Sequence, residues 1–210
     1  MIGPRLWPAA LLVLIGACAT APVRPPLPAR DESALRNTLS QWHASGRLGV
    51  RSQGTGWSAG FDWQEADGLS TIDVHGPLGL GAVHITRSAE LIVIDNGHGP
   101  AQRVLAPFSE LEDALAVRLG APLPLAPLRF WLLGLPDPDA PLVRGADNRF
   151  EQYGWQVTAT DPQDVPGAPS ALPRQLTLER PPTRIRVIVE DWRVLATPAS
   201  VSAPSAQAVP

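Results

Sequence analysis

The sequence predicts a mainly β domain, built as one antiparallel sheet that curls toward a barrel, with short helices across its opening. From residue 46 to residue 194, apolar and polar residues alternate in one run after another, which is the period of a half-buried strand. Turn signals such as Asn96-Gly97 separate the runs. Two helical patterns interrupt them. We expect roughly eight to eleven strands, and sheets of that size usually curl.

The N-terminal residues 1–17 have the pattern of a bacterial export signal. Arg5 supplies a positive charge, and the apolar run 9–15 is too short to span a bilayer as a helix. Two small residues then precede Cys18, the single cysteine of the chain. The stretch 14–18 resembles a lipobox, the cleavage and lipidation signal of bacterial lipoproteins. This resemblance implies that lipid is attached to the Cys18 sulfur and that the signal is cleaved before it.

Composition divides the rest of the chain into three parts. Residues 18–30 are rich in Pro and Ala, which predicts an extended tether behind the lipidated cysteine. The folded domain is expected over residues 31–195. Residues 196–210 contain mainly Ala, Ser, Pro and Val, a composition typical of a disordered tail. Residue 19 is not the aspartate that tends to retain lipoproteins in the inner membrane, so the outer membrane is favoured.

Helical spacing predicts three helices in the folded domain. Apolar residues at Leu35, Leu39 and Trp42 predict a helix over residues 32–43. A capping box, Ser followed by Glu three residues later, predicts a helix over residues 109–119. A third helix is expected over residues 128–133. It is apolar on almost every side, so it must be buried or line an apolar space.

Strands are expected on both sides of the two later helices. Before them come runs at 46–51, 57–64, 69–75, 82–86, 91–95 and 102–105. After them come runs at 150–153, 154–160, 174–179 and 184–194, with a proline-rich loop over 161–173. The run 57–64 alternates most clearly, and it places two Trp and one Phe on a single face.

The loop at residues 76–81 has an unusual composition. It contains three glycines and Pro77, which oppose regular structure, and its tip carries Leu78 and Leu80 where polar turn residues are expected. Two interpretations are open. The leucines fold back onto the core, or the loop is an exposed apolar finger that meets lipid or an acyl chain.

Composition and motifs exclude several function classes. A formal net charge of −3 gives no indication of a nucleic-acid partner. One cysteine cannot form an intrachain disulfide or a thiolate metal site. The four histidines are scattered, and neither a phosphate-binding loop nor a Gly-x-Ser-x-Gly motif occurs. We therefore expect no enzyme, no metal and no cofactor.

Several stretches together resemble the LolB family of outer-membrane lipoprotein receptors. With the lipobox, they span nearly the whole chain in order. The most specific is Trp131-Leu132-Leu133-Gly134-Leu135-Pro136. The others are 46–50, 57–63, 76–79, 123–125, 128–130, 154–157 and 191–192.

The resemblance implies an unclosed β-barrel covered by helices, with an apolar cavity for the acyl chains of lipoproteins. It also implies a LolA-type periplasmic carrier, acylated lipoprotein cargo and outer-membrane lipid as partners. The family's loop leucine, needed for insertion, matches Leu78 between Pro77 and Gly79, whereas Leu80 has no certain counterpart. We expect a monomer that is lipid-anchored in the outer membrane and faces the periplasm.

The candidate cavity lining combines aromatic and aliphatic residues from strands and from the last helix. The set is Trp57, Phe61, Trp63, Leu91, Val93, Trp131 and Leu132. Each is equally compatible with ordinary core packing. The alternative function is therefore a tethered structural or assembly lipoprotein whose barrel is filled and takes no acyl cargo. A hydrolase would need a convergent polar triad, for which the sequence offers no candidate.

Overall fold

A computed structural model of the chain describes most of the predicted domain. It covers residues 32, 35, 36, 39–76, 81–105, 111, 112, 115, 116, 121–146 and 149–194. The predictions for the signal peptide, Cys18, the tether and the C-terminal tail lie outside these residues. The tip of the leucine loop, Pro77, Leu78, Gly79 and Leu80, also lies outside them.

The described residues form a single antiparallel sheet of 11 strands. The strands are β1 (Gln41–Ser52), β2 (Thr55–Ala66), β3 (Leu69–His75), β4 (Val83–Arg87), β5 (Leu91–Asp95), β6 (Gln102–Leu105), β7 (Val143–Arg144), β8 (Arg149–Gln152), β9 (Trp155–Gln163), β10 (Leu172–Arg180) and β11 (Thr183–Val194). The predicted fold class is confirmed.

The strand order shows two meanders joined at the centre of the sheet. It runs β6-β5-β4-β3-β2-β1-β11-β10-β9-β8-β7, so the first and last strands of the chain are neighbours. Within the described residues, β6 and β7 are the two edges and do not pair with each other. The sheet is therefore open rather than closed into a barrel.

Alternation decides which side chains point inward. In β2, Ala59, Phe61 and Trp63 are buried while the residues between them are more exposed. We call the buried side the inner face. Three tryptophans pack on it where the two meanders join. The Trp42 ring centroid lies 5.8 Å from that of Trp63 and 5.4 Å from that of Trp192.

Helix α1 (Leu125–Trp131) packs on the inner face. Its buried residues are Leu125, Pro127, Leu128 and Trp131. Proline is tolerated in this first turn because no intrahelical partner exists there for the N–H that it lacks. The chain leaves the helix through Gly134, whose φ is 69°. The predicted helix is thus present, but it begins earlier in the sequence than expected.

A second helical segment includes residues 111, 112, 115 and 116. Leu111 and Leu115 are buried there. Glu112 forms an ion pair with Arg180 of β10 and accepts a hydrogen bond of 3.4 Å from Trp155 Nε1. These contacts hold the segment against the second meander.

The predicted first helix is wrong at its C-terminal end. Residues 32, 35 and 36 are helical, but β1 already begins at Gln41, so Trp42 lies in a strand. Trp42 pairs with Glu65 of β2 and Val194 of β11. A buried Trp after Leu35 and Leu39 fits a helical spacing, yet it equally fits the first inward position of a strand. Pairing of this segment with β2 on one side and β11 on the other favours the strand over the helix.

The predicted proline-rich loop is shorter than expected. Strand β9 continues to Gln163 and β10 begins at Leu172, with Pro162 opposite Pro173. The short edge strand β7 was not predicted at all. In the described part of the chain, no helix is both long and apolar enough to cross a membrane.

Gly46 permits an irregularity at the centre of the sheet. The register between β1 and β11 shifts between Ser45 and Gly46. A Cβ atom on Gly46 would lie 2.0 Å from the carbonyl oxygen of Ile188, far inside contact distance. On the same strand, a Cβ atom on Gly49 would meet no atom within 4 Å.

We expect Gly46→Ala to lower the free energy of unfolding by about 2–3 kcal/mol, because the backbone of β11 must move to admit the methyl group. The matched variant Gly49→Ala should stay within about 0.5 kcal/mol of the wild type. Urea unfolding of both variants measures the difference. Equal stability would show that the close approach at Gly46 does not constrain the sheet.

Candidate functional site: an apolar cavity with a polar rim

An apolar cavity lies between the inner face and α1. All of its lining side chains are apolar apart from the indole nitrogen of Trp63. The inner face contributes Phe61, Trp63, Ile72 and Ile85 among others, and the helical segment contributes Leu125, Leu128 and Leu132. The volume is about 20 Å³, so the space is almost filled by these side chains. This arrangement can hold apolar matter only.

Three of the predicted lining residues meet in this cavity: Phe61, Trp63 and Leu132. Trp131 is fully buried but is not part of the wall. Its indole Nε1 donates to Gln152 Oε1 at 3.1 Å, and its ring centroid lies 6.3 Å from that of Phe150. Trp131 therefore anchors α1 to β8 rather than lining the cavity.

The structure places Leu91 and Val93 on the opposite face of β5, away from this cavity. Ile92 and Ile94, the residues next to them, are the fully buried ones. The run Leu-Ile-Val-Ile is apolar throughout, so alternation could not say which residues point inward. Pairing of Ile94 with Ile85 decides it, because directly paired residues share a face.

Trp57 lies apart from the cavity, near the N-terminal end of β2. It is half-buried and borders an open cleft between the β1–β2 and β10–β11 hairpins. Polar residues such as Ser52, Arg184 and Arg186 share that cleft. Trp57 thus extends the inward row of β2 without joining Phe61 and Trp63 in the wall.

The sequence prediction missed wall residues from several elements. They are Leu48, Ile72, Val74, Ile85, Leu123, Leu125, Leu128 and Val187. Alternation in β3 separates Ile72 and Val74 from their polar neighbours. Pairing of Val74 with Phe61 would have identified this face as the inner one, but that pairing is a property of the fold.

A buried carboxylate, Glu65, lies behind the cavity wall, where it accepts a hydrogen bond from the wall residue Trp63 and lines a neighbouring cleft together with Arg129. Glu65 Oε2 accepts hydrogen bonds from Ser70 Oγ at 2.5 Å and from Trp63 Nε1 at 3.3 Å. Arg129 of α1 donates from Nη1 to Glu65 Oε1 at 3.3 Å. The helix is therefore fixed to the sheet by one ion pair in addition to its apolar contacts.

Arg87 lies close to Glu65 and Arg129, since the charges of both act on its guanidinium. It follows Ile85 on the inward side of β4 and is 8% exposed. Burial, and next the positive charge of Arg129, lower the pKa of Arg87, while Glu65 acts in the opposite direction. We call Glu65, Ser70, Arg87 and Arg129 the polar rim. The sequence prediction did not single out any of these four residues.

Gln152 fixes the turn that follows α1. It is buried and accepts hydrogen bonds from Trp131 Nε1 and from the Asp137 N–H, at 3.1 and 2.8 Å. It also donates to the carbonyl oxygens of Asp137 and Ala140, at 2.9 and 3.2 Å. One amide thus satisfies four polar groups. Among the described residues, no cluster of His, Cys, Asp and Glu suits a metal ion.

Replacing Gln152 with Leu should lower the free energy of unfolding by about 2–4 kcal/mol, because several buried polar groups lose their partners. Denaturant unfolding measures the loss. The exposed neighbour Glu151 provides the control, since Glu151→Leu should change stability by no more than about 0.5 kcal/mol. A cost below about 1 kcal/mol for Gln152→Leu would contradict the role assigned to this amide.

Tyr153 offers a spectroscopic view of the same turn. Its hydroxyl donates to Asp137 Oδ2 at 2.9 Å. Partial burial, and next the hydrogen bond and charge of Asp137, raise the pKa of Tyr153 to about 12 from the ordinary 10.0. The folded state thus keeps the phenol proton more tightly than the unfolded chain does. This contribution to stability is fully present below pH 10 and is lost as the pH rises through about 12.

Since the chain has one tyrosine, the ultraviolet absorbance of tyrosinate should report this group directly, with a midpoint near 12 in the folded protein. In the variant Asp137→Asn the midpoint should move down toward the ordinary value, because the carboxylate charge is removed. A wild-type midpoint near 10 would show that Asp137 does not engage the hydroxyl in solution.

Comparison with known proteins agrees with this architecture. The family model described as "Outer membrane lipoprotein LolB" matches residues 40–192. A LolA superfamily protein from Nitrosomonas europaea, a solved structure, has a TM-score of 0.50 at 8% identity, covering 80% of this chain and 94% of its own. That likeness concerns the fold alone.

Relatives in sequence carry the same description. The Outer-membrane lipoprotein LolB of Alkalilimnicola ehrlichii is 32% identical over 198 residues, which cover 90% of this chain and 96% of the relative. That of Marinomonas sp. is 28% identical over 198 residues, covering 88% and 95%. These descriptions name an outer-membrane lipoprotein and no catalytic activity. The chain belongs to the LolB family of outer-membrane lipoproteins.

Proposed function

We propose that this protein accepts acylated lipoproteins from a LolA-type periplasmic carrier, holds their acyl chains beneath α1 and inserts them into the outer membrane. The observation that supports this most strongly is the cavity lined by apolar side chains between α1 and the inner face, in a chain of the LolB family. The lipobox at residues 14–18 supports anchoring of the receptor through Cys18.

Acyl transfer between two apolar sites avoids the free-energy cost of exposing the acyl chain to water. Moving an acyl chain through water would cost about 0.8 kcal/mol for each CH₂ group. Direct passage from one apolar cavity to another avoids most of that cost. Transfer in one direction then needs only a modest difference in affinity between carrier and receptor, with no nucleotide.

The cavity must widen before it can hold a chain, because about 20 Å³ is far less than an acyl chain occupies. Helix α1 is the element that can yield. Leu125 and Leu128 of α1, with Leu132 directly after it, form this side of the wall, and an incoming chain replaces their apolar contacts with equally apolar ones. Little apolar area is exposed to water when an acyl chain enters, whereas opening without a chain would expose the wall. Opening is therefore coupled to cargo binding.

The leucine loop, residues 76–81, joins two strands that contribute to the cavity wall. It connects β3 and β4, whose residues Ile72, Val74 and Ile85 line the cavity. A leucine at the loop tip that enters lipid would bring the cavity close to the membrane surface. We therefore assign Leu78 to membrane contact during delivery, and Leu80 to either membrane contact or packing.

One observation favours the second candidate function, a tethered structural lipoprotein. The cavity is nearly filled by its own lining side chains, as it would be in a barrel that never opens. The two functions differ in whether acyl chains bind. The first requires saturable binding of an acyl probe by the full chain carrying Cys18→Ala, which lacks acyl groups of its own. The second requires none.

For the loop, we expect Leu78→Glu to leave acyl binding within about twofold. Transfer of a fluorescent acylated peptide to phospholipid vesicles should slow by about thirtyfold, since burying one leucine contributes about 2 kcal/mol. Leu69→Glu is the matched control, because Leu69 is 47% exposed at the opposite end of β3 and should transfer normally. Normal transfer by Leu78→Glu would remove the role assigned to the loop.

A further inference from the structure

Arg87 is a buried cation without a direct partner among the described residues. Its Nε and Nη1 atoms are buried and make no hydrogen bond. Its neighbours in the ladders, Ser70 and Ile92, are uncharged. A buried charge without a partner is costly, and buried polar groups in proteins are usually satisfied. An unsatisfied guanidinium therefore points to a ligand.

The two carboxylates whose charges act on Arg87, those of Glu65 and Asp137, accept hydrogen bonds from other groups. Glu65 accepts hydrogen bonds from Ser70, Trp63 and Arg129. The carboxylate of Asp137 accepts from the Tyr153 hydroxyl at 2.9 Å and from the Asp139 N–H at 3.1 Å. Both carboxylates act on Arg87 through their charge, but neither hydrogen-bonds to it.

Arg129 brings a second guanidinium to the same place. Its Nη1 binds Glu65, but its Nε is buried and makes no hydrogen bond. Arg129 is close enough to Arg87 for its charge to act on the Arg87 guanidinium. Two guanidinium groups with free N–H donors match a phosphate or a carboxylate, which each accept several such bonds.

The site adjoins the apolar cavity through residues that line its wall. Ile85 lines the cavity and precedes Arg87 on the same face of β4. In α1, the wall residue Leu128 is next to Arg129. Trp63 joins the two regions, since its ring lines the cavity and its Nε1 binds Glu65. Cations beside an apolar space complement a molecule with a charged head and an apolar chain.

We propose that Arg87 and Arg129 form an anion site at the rim of the cavity, which takes the phosphate or carboxylate group of a lipid whose acyl chain enters the cavity. This rests on the proposed acyl-binding function for the chain part of the ligand. The anion part stands on the polar rim itself.

The test compares three probes on the full chain carrying Cys18→Ala: tetradecyl phosphate, tetradecanol and inorganic phosphate. Tetradecyl phosphate should bind about tenfold more tightly than tetradecanol, because charge-assisted hydrogen bonds favour the anion. Arg87→Gln should abolish this preference and leave tetradecanol affinity within about twofold. Arg103→Gln, at an exposed position on β6, should keep the preference.

The probes separate the sources of the anion and the two proposals. Tight binding of inorganic phosphate that Arg87→Gln abolishes would support the anion site and identify free phosphate as its occupant. Equal affinity for tetradecyl phosphate and tetradecanol, without phosphate binding, would overturn the anion site and leave the acyl cavity intact. If tetradecanol does not bind, the acyl-binding function is overturned. Binding of inorganic phosphate that depends on Arg87 would in that case still support the anion site.

A stability measurement distinguishes ligand binding from a structural role. If Arg87 serves a ligand, Arg87→Met should raise the Tm of the ligand-free protein by about 2–4 °C, because an unpaired buried charge is removed. Tetradecyl phosphate should then raise the Tm of the wild type but not that of Arg87→Met. A lower Tm for ligand-free Arg87→Met would mean that the charge stabilises the fold, which would overturn the proposal.

Discussion

The structure depends on how the apolar inner face is kept out of water. An open sheet cannot bury this face against itself as a closed barrel does, so another element must cover it. Helix α1 does so with Leu125 and Leu128, together with Leu132 directly after the helix. In the function that we propose, an acyl chain takes the place of the helix at little cost, because the hydrophobic effect is non-directional. The need to keep water from the inner face therefore requires α1 and also allows an acyl chain to replace it.

Polar contacts give this exchangeable cover a fixed position. Gln152 and Trp131 hold the C-terminal end of α1 through several hydrogen bonds, whereas Glu65 and Arg129 form one ion pair at the rim of the cavity. The C-terminal end of α1 is thus held by more polar contacts than the part of the helix that covers the cavity. Arg87, beside the ion pair, leaves donors free where the head of an amphiphile would lie.

The sequence predicted the direction of a side chain correctly where its hydrophobic pattern fitted only one secondary structure and one face. The alternation in β2 placed Phe61 and Trp63 inside without ambiguity, and eleven strands fell within the expected range. It failed where two solutions fitted. Leu91 and Val93 lie in a wholly apolar run, and Trp42 fits both a helix and a strand. The polar rim joins residues from β2, β3, β4 and α1, so only the register of the sheet brings them together.

The distance between α1 and the sheet during acyl binding tests most directly whether an acyl chain displaces the helix. Spin labels at Ala126 on α1 and Thr71 on β3, in the full chain carrying Cys18→Ala, report this distance by electron resonance. Both positions are partly exposed. If an acyl chain takes the place of α1, this distance lengthens as tetradecanol saturates the protein. Saturated binding at an unchanged distance, or no binding at all, would contradict that displacement.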